Sequence, residues 1–145
     1  MLYPLSYEGG EEQSRRAAYH LGMPAATVLV VDDDPVIQKL LQVNFELEGY
    51  KVITASDGIE GLERAKADLP DAIILDIMMP RMNGLEVARA LKGSDDTRDI
   101  PVLLLSAKAQ ASDVAVGMEI GADDYVTKPF DPAELLERVG DLLKG

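Results

Sequence analysis

Apolar positions along this chain alternate between two rhythms. Short unbroken runs, VLVV (28–31), KVITA (51–55), AIILD (72–76), VLLLS (102–106) and DYVT (124–127), are rich in Val, Ile and Leu, as suits parallel strands covered on both faces. Between them apolar residues return at helical spacing: Ile37, Leu40, Leu41 and Leu47; Ile59, Leu62 and Ala65; Leu85, Ala88 and Leu91; then Leu135, Leu136, Val139, Leu142 and Leu143. Boundary signals agree with this division. Gly58 follows Asp57 at the entrance to the second helix, Gly84 marks a turn or helix start, and a fourth helix begins near Ser112. Gly49 suits a C′ position, Pro70 closes the second helix, Gly121 follows the fourth, and Gly140 slightly weakens the fifth. Five strand and helix pairs over residues 27–143 predict an α/β domain of (βα)5 form, an open, doubly wound parallel sheet with helices on both faces.

Ligands of such sheets bind beyond the carboxyl ends of the strands. The unusual polar residues lie at those ends: Asp32 and Asp33 after the first strand, Asp76 closing the third, Ser106 closing the fourth and Lys128 after the fifth. Asp34, next in the triple aspartate, precedes Pro35, and the same pair recurs as Asp131 and Pro132 far from any acidic cluster. Asp34 is therefore read as a helix N-cap with proline at N1. Three carboxylates converging on one crevice make a hard oxygen site, suited to Mg²⁺ or Mn²⁺ rather than zinc. With the Lys128 ammonium and the Ser106 hydroxyl, the crevice could hold a phosphoryl group and spread its charge. A carboxylate can itself act as the nucleophile. Asp76, emerging alone from an apolar strand, is best placed for that, leaving Asp32 and Asp33 to hold the ion.

Composition narrows the chemistry. The 145 residues form one domain's worth of chain, 47% hydrophobic and 28% charged, with a net charge of -12. That charge argues against direct binding of nucleic acid or anionic membrane and favours cations. There is no cysteine and a single histidine, His20, which excludes disulfides, thiol catalysis, a histidine-based triad and a multi-histidine metal site within one chain. The first residues lack a basic, then apolar, signal pattern, and no stretch approaches the roughly 18 apolar residues of a spanning helix; a cytoplasmic location is expected. Residues 1–26 form a leader whose pattern allows one short helix over 11–21, stopped by Gly22 and Pro24. It reads as a mobile or surface-resting leader, with a dimerisation arm as the sharper alternative. The methionines of MMPRMNG read as gap-fillers, and SDDTRD (94–99) as a solvated loop before Pro101.

Taken jointly, VVDDDP, ILDIMMPRMNG with Asp76, Pro80 and Gly84, the pair Ser106 and Ala107, and GADDYVTKPF with Lys128 and Pro129 make the segment 27–143 resemble the receiver domain of two-component response regulators of the chemotaxis-regulator-like type. The resemblance implies a flavodoxin-like sheet of strand order 2-1-3-4-5. It implies that Asp76 takes a phosphoryl group from a phosphohistidine of a sensor histidine kinase or phosphotransfer protein. Mg²⁺ would be held by Asp33, Asp76 and the Met78 carbonyl, with Asp32 acting through a metal-bound water. Lys128 would contact the phosphoryl oxygens, Ser106 would move to hydrogen-bond them, and Tyr125 would rotate inward, remodelling the surface of the fourth helix, fifth strand and fifth helix. The peptide bond between Lys128 and Pro129 would be cis.

On that reading the protein is a signalling switch that catalyses only its own phosphorylation and dephosphorylation, as a monomer or a phosphorylation-dependent dimer. Met78 offers no polar group to orient an attacking water, so slow self-hydrolysis is expected. Output would pass to an unknown partner protein or to an output domain beyond this sequence. A metal-dependent phosphohydrolase using the same carboxylates is the alternative; it lacks a further acid or base beside the crevice. An FMN-binding flavodoxin-like protein would need phosphate-loop donors where this chain places carboxylates.

Overall fold

A computed structural model describes residues 25–107 and 111–144. The predicted leader helix over 11–21 lies outside the described residues. Five strands and five helices alternate: β1 (Thr27–Val31), α1 (Pro35–Leu47), β2 (Lys51–Ala55), α2 (Gly58–Asp68), β3 (Ala72–Asp76), α3 (Gly84–Lys92), β4 (Val102–Ala107), α4 (Ala111–Ile120), β5 (Asp124–Lys128) and α5 (Pro132–Lys144). All strands pair in parallel, in the order β2-β1-β3-β4-β5. The order reverses beside β1, so the crevice at the carboxyl ends of β1 and β3 is the topological switch point.

Strand alternation sends successive side chains to opposite faces, and each face has its own core. Leu29, Val31, Ile73, Leu75, Val102 and Leu104 pack under α2, α3 and α4, against Ala65, Val87, Ala88, Leu91 and Val114. Val28, Val30, Ile74, Leu103, Leu105 and Val126 pack under α1 and α5, against Leu41, Phe45, Leu135 and Val139. Burying each such large side chain contributes about 1.5–3 kcal/mol. β3 is buried throughout and β1 and β4 along all but one terminal residue, whereas β2 and β5 are edge strands with half-exposed residues. The expectation of five doubly covered strands therefore holds for three.

Local signals place the helix ends as expected. Asp34 accepts a hydrogen bond from the Val36 N–H at 2.8 Å with Pro35 at the first helical position, and Asp131 repeats this with the Ala133 N–H at 2.9 Å. Gly49 and Gly121 take positive φ values of 94° and 127° after α1 and α4, which glycine adopts without penalty.

Two expectations change. The apolar stripe of α1 is not Ile37, Leu40, Leu41 and Leu47: Leu41 and Phe45 are buried, while Leu40 is 40% and Leu47 68% exposed. The loop 94–99 is not wholly solvated, because Thr97 is fully buried with its hydroxyl donating to the Leu91 carbonyl at 2.7 Å. That bond seals the end of α3.

Candidate functional site

Asp32 sits one residue past β1, fully buried, and Asp76 closes β3, also buried; Asp33, beside Asp32, is exposed. Each of the three offers one carboxylate oxygen, and these oxygens lie within 4.8 Å of one another. Backbone donors orient two of them. The Asp34 N–H donates to Asp32 Oδ1 at 2.9 Å and the Met78 N–H to Asp76 Oδ1 at 3.3 Å. Lys128, the last residue of β5, reaches the two remaining oxygens with one ammonium: Nζ lies 3.0 Å from Asp32 Oδ2 and 3.1 Å from Asp76 Oδ2. The following peptide bond, to Pro129, is cis.

Burial, then the negative charge of Asp32, pushes the Asp76 carboxyl up to about 6 from 3.8, although Lys128 and the Met78 N–H work the other way. Burial alone would lower the Lys128 ammonium, but its hydrogen bond to Asp32 and the charges of Asp76 and Asp32 outweigh that and hold it above the ordinary lysine value. Three carboxylates against one ammonium leave excess negative charge, and their oxygens are hard donors. Such a set fits Mg²⁺.

Two glycines keep this edge tight. A methyl group on Gly84 would overlap the Asp76 carbonyl oxygen, so α3 begins hard against the end of β3. Gly84 thus does more than start a helix: its bare Cα lets the chain double back, with its N–H donating to the Ile77 carbonyl at 2.8 Å. The cap is Asn83, in a reciprocal capping box with Glu86. A methyl on Gly58 would likewise overlap the Met82 carbonyl oxygen, which seats the β3–α3 loop on the start of α2.

Beyond the Met78 N–H, the remaining expected residues make no hydrogen bond to the carboxylates among the described residues. Met78 follows the site with its side chain 63% exposed. Ser106 is buried in β4 and its hydroxyl donates to the Ala107 carbonyl at 3.0 Å, not to Asp76. Tyr125 is 43% exposed on β5. Ser106, Ala107, Ala111, Val114, Tyr125 and Thr127 line a cavity of about 170 Å³ between them.

Sequence reasoning passed over Gln38 and the pair Asp57 and Arg81. Gln38 Nε2 donates to the Asp32 carbonyl at 2.6 Å, and Arg81 Nη2 lies 3.1 Å from Asp57 Oδ2. The available signals were faint: a glutamine one turn into a helix that starts at the site, and an arginine five residues past Asp76.

The chain matches the response regulator receiver domain family over residues 28–140. Over 117 residues, 81% of this chain, it is 48% identical to the alkaline phosphatase synthesis transcriptional regulatory protein PhoP of Bacillus subtilis, covering 48% of that protein. It is 47% identical to the DNA-binding dual master transcriptional regulator RpaA of Synechocystis, again covering 48% of the relative. The chain thus spans about half the length of these curated relatives. Among solved structures it is similar to the Francisella response regulator 1452 receiver domain (36% identity, TM-score 0.75, covering 82% of this chain and 97% of that one). It is also similar to the receiver domain of sensor histidine kinase PA1611 from Pseudomonas aeruginosa, solved with a magnesium ion coordinated in the active site cleft (29% identity, TM-score 0.77, 84% and 100% covered). With its fold, its acidic crevice and this match across most of its length, the chain belongs to the response regulator receiver domain family of two-component signalling.

Proposed function

We propose that Asp76 is the phosphoacceptor of this receiver, and that Asp33, Asp76 and the Met78 carbonyl hold Mg²⁺, with Asp32 acting through a water on the ion. The observation that carries the reading is the single Lys128 ammonium shared between Asp32 and Asp76, with an Asp33 oxygen in the same 4.8 Å cluster. The magnesium described for the PA1611 receiver supports it. When bound, the ion neutralises charge on the transferring phosphoryl group.

The chain's own residues do the rest. An Asp76 carboxylate oxygen attacks the phosphorus of a phosphohistidine; the O–P bond forms as the P–N bond breaks, and the imidazole leaves. Lys128 is placed to follow the new negative charge, keeping Asp32 as its second partner. Ser106 exchanges its bond to the Ala107 carbonyl for one to a phosphoryl oxygen. Tyr125 moves from its exposed position toward the cavity behind Ser106, altering the surface of α4, β5 and α5.

The donor is a sensor histidine kinase or phosphotransfer protein, and the protein acts as a switch in the cytoplasm. Among the described residues no helix is long and apolar enough to cross a membrane. A net charge of -12 keeps the receiver itself off nucleic acid. Since one relative is a DNA-binding regulator about twice the matched length, output to DNA through a further domain is the alternative to output through a partner protein. The phosphohydrolase alternative gains no support from these relatives.

Acetyl phosphate with Mg²⁺ tests the acceptor. Intact-mass analysis is expected to find one added phosphoryl group on the wild-type chain and none on Asp76→Asn; label persisting in the variant sinks the assignment. Repeated release of phosphate from phosphomonoesters by the wild type would instead favour the hydrolase.

A further inference from the structure

The β2–α2 loop, Ser56 and Asp57, contributes nothing to the carboxylate crevice, yet it touches both loops that do. On one side, Gln38 of α1 donates from Nε2 to the Asp32 carbonyl at 2.6 Å, to the Ala55 carbonyl at 3.1 Å and to Ser56 Oγ at 3.1 Å. The Asp32 N–H donates to the same Ala55 carbonyl at 3.1 Å. One amide thus gathers the carboxyl ends of β1 and β2, donating to the Asp32 carbonyl and adding a second donor to the Ala55 carbonyl. Inside the loop, the Ser56 N–H donates to Glu60 Oε1 at 2.8 Å, and the Glu60 N–H donates to Asp57 Oδ1 at 2.9 Å.

On the other side, Arg81 Nη2 donates to Asp57 Oδ1 at 3.2 Å and lies 3.1 Å from Oδ2. Arg81 holds φ at 69°, a left-handed conformation uncommon for a residue other than glycine. A residue chosen for the turn alone would be Gly or Asn; arginine supplies the reach to Asp57. Gly58 adds an independent contact, its bare Cα closing on the Met82 carbonyl. The hydrogen bonds therefore run without a gap from the Asp32 backbone, through the β2–α2 loop, to the loop that carries Met78.

We propose that Gln38, the β2–α2 loop and Arg81 form a strut that sets the spacing between the Asp32 and Asp33 loop and the Met78 loop, making Gln38 and Arg81 positioning residues for Mg²⁺. The inference rests on the reading of the crevice as the Mg²⁺ site. The strut needs no metal to exist, so it can be tested with and without one.

Mg²⁺ is titrated calorimetrically into the full chain at low ionic strength, using wild type, Gln38→Ala, Asp57→Asn, Arg81→Gln and the double variant Gln38→Ala with Arg81→Gln. Asn caps a helix as well as Asp, so Asp57→Asn breaks the ion pair and spares the cap. The Kd is expected to rise about five-fold in Gln38→Ala and about two- to three-fold in Asp57→Asn and Arg81→Gln. A strut cut at either end is already cut, so the double variant should fall well short of the product of the singles. Metal-free amide exchange supplies a readout that a purely local role would not move. Gln38→Ala, whose lost hydrogen bonds reach Asp32, Ala55 and Ser56 and not residues 78–83, should speed exchange there.

Unchanged Kd and exchange in folded variants, or fully multiplicative effects, overturn the strut. Should Gln38→Ala not fold, Asp57→Asn and Arg81→Gln decide the matter by the same criteria. A wild type that binds no Mg²⁺ counts against the reading of the site, while the exchange data still judge the strut.

Discussion

Asp76 and Asp57 are the same side chain driven in opposite directions. At Asp57 the Glu60 N–H, working against burial, and then the Arg81 charge hold the carboxyl below its usual range. At Asp76 burial and the Asp32 charge raise it to about 6. The native state therefore keeps a proton on Asp76 between about pH 4 and 6 that the unfolded chain has already released, and stability falls as pH rises through that window. Above it the full penalty persists, on the order of 2–3 kcal/mol. Asp76→Asn should accordingly be more stable than wild type by about 2 kcal/mol near about pH 8, with the gain vanishing near about pH 4. Urea unfolding at the two pH values checks this, and an equal gain at both would contradict the burial account. The charged members of the site were legible in the sequence because a carboxylate or lysine ending an apolar strand is conspicuous. Gln38 and Arg81 were not, since an amide or guanidinium suits any surface and only the folded chain supplies its acceptors.

Helix α1 shows where pattern reading runs out for an element. Its apolar residues occupy two neighbouring stripes: Leu41 and Phe45 pack on the sheet, whereas Val36, Leu40, Val43 and Leu47 are exposed. Both repeat at helical spacing, so periodicity predicts the helix without choosing its buried face. The rotation is set by the Asp34 cap and by the position of β1 beneath. Leu41→Ala is expected to cost about 2–5 kcal/mol and Leu47→Ala no more than about 0.5 kcal/mol, measured as shifts in denaturation midpoint. Comparable losses would show that the exposed stripe is packed in solution. Helix ends were more legible, since Asp34 and Asp131, each followed by proline, carry their own capping chemistry. Thr97 escaped notice because its burial depends on how the turn after α3 folds back onto Leu91.

For the molecule as a whole, a net charge of -12 disfavours the compact state through self-repulsion that salt screens. The melting temperature is expected to rise by roughly 2 to 4 °C from low to physiological ionic strength; a fall on adding NaCl would contradict this and point to stabilising ion pairs such as those of Lys128. At this scale the sequence by itself determined the alternation of strands and helices, and with it the parallel sheet and the edge at which ligands gather. Each of those follows from local periodicity and from the short crossovers that parallel pairing requires. The tertiary structure alone decided that one ammonium serves both Asp32 and Asp76, that Ser106 rests on Ala107, and that the β2–α2 loop bridges the loop of Asp32 and Asp33 to that of Met78. Such contacts join residues as far as 96 positions apart, and no local pattern carries the distance between them.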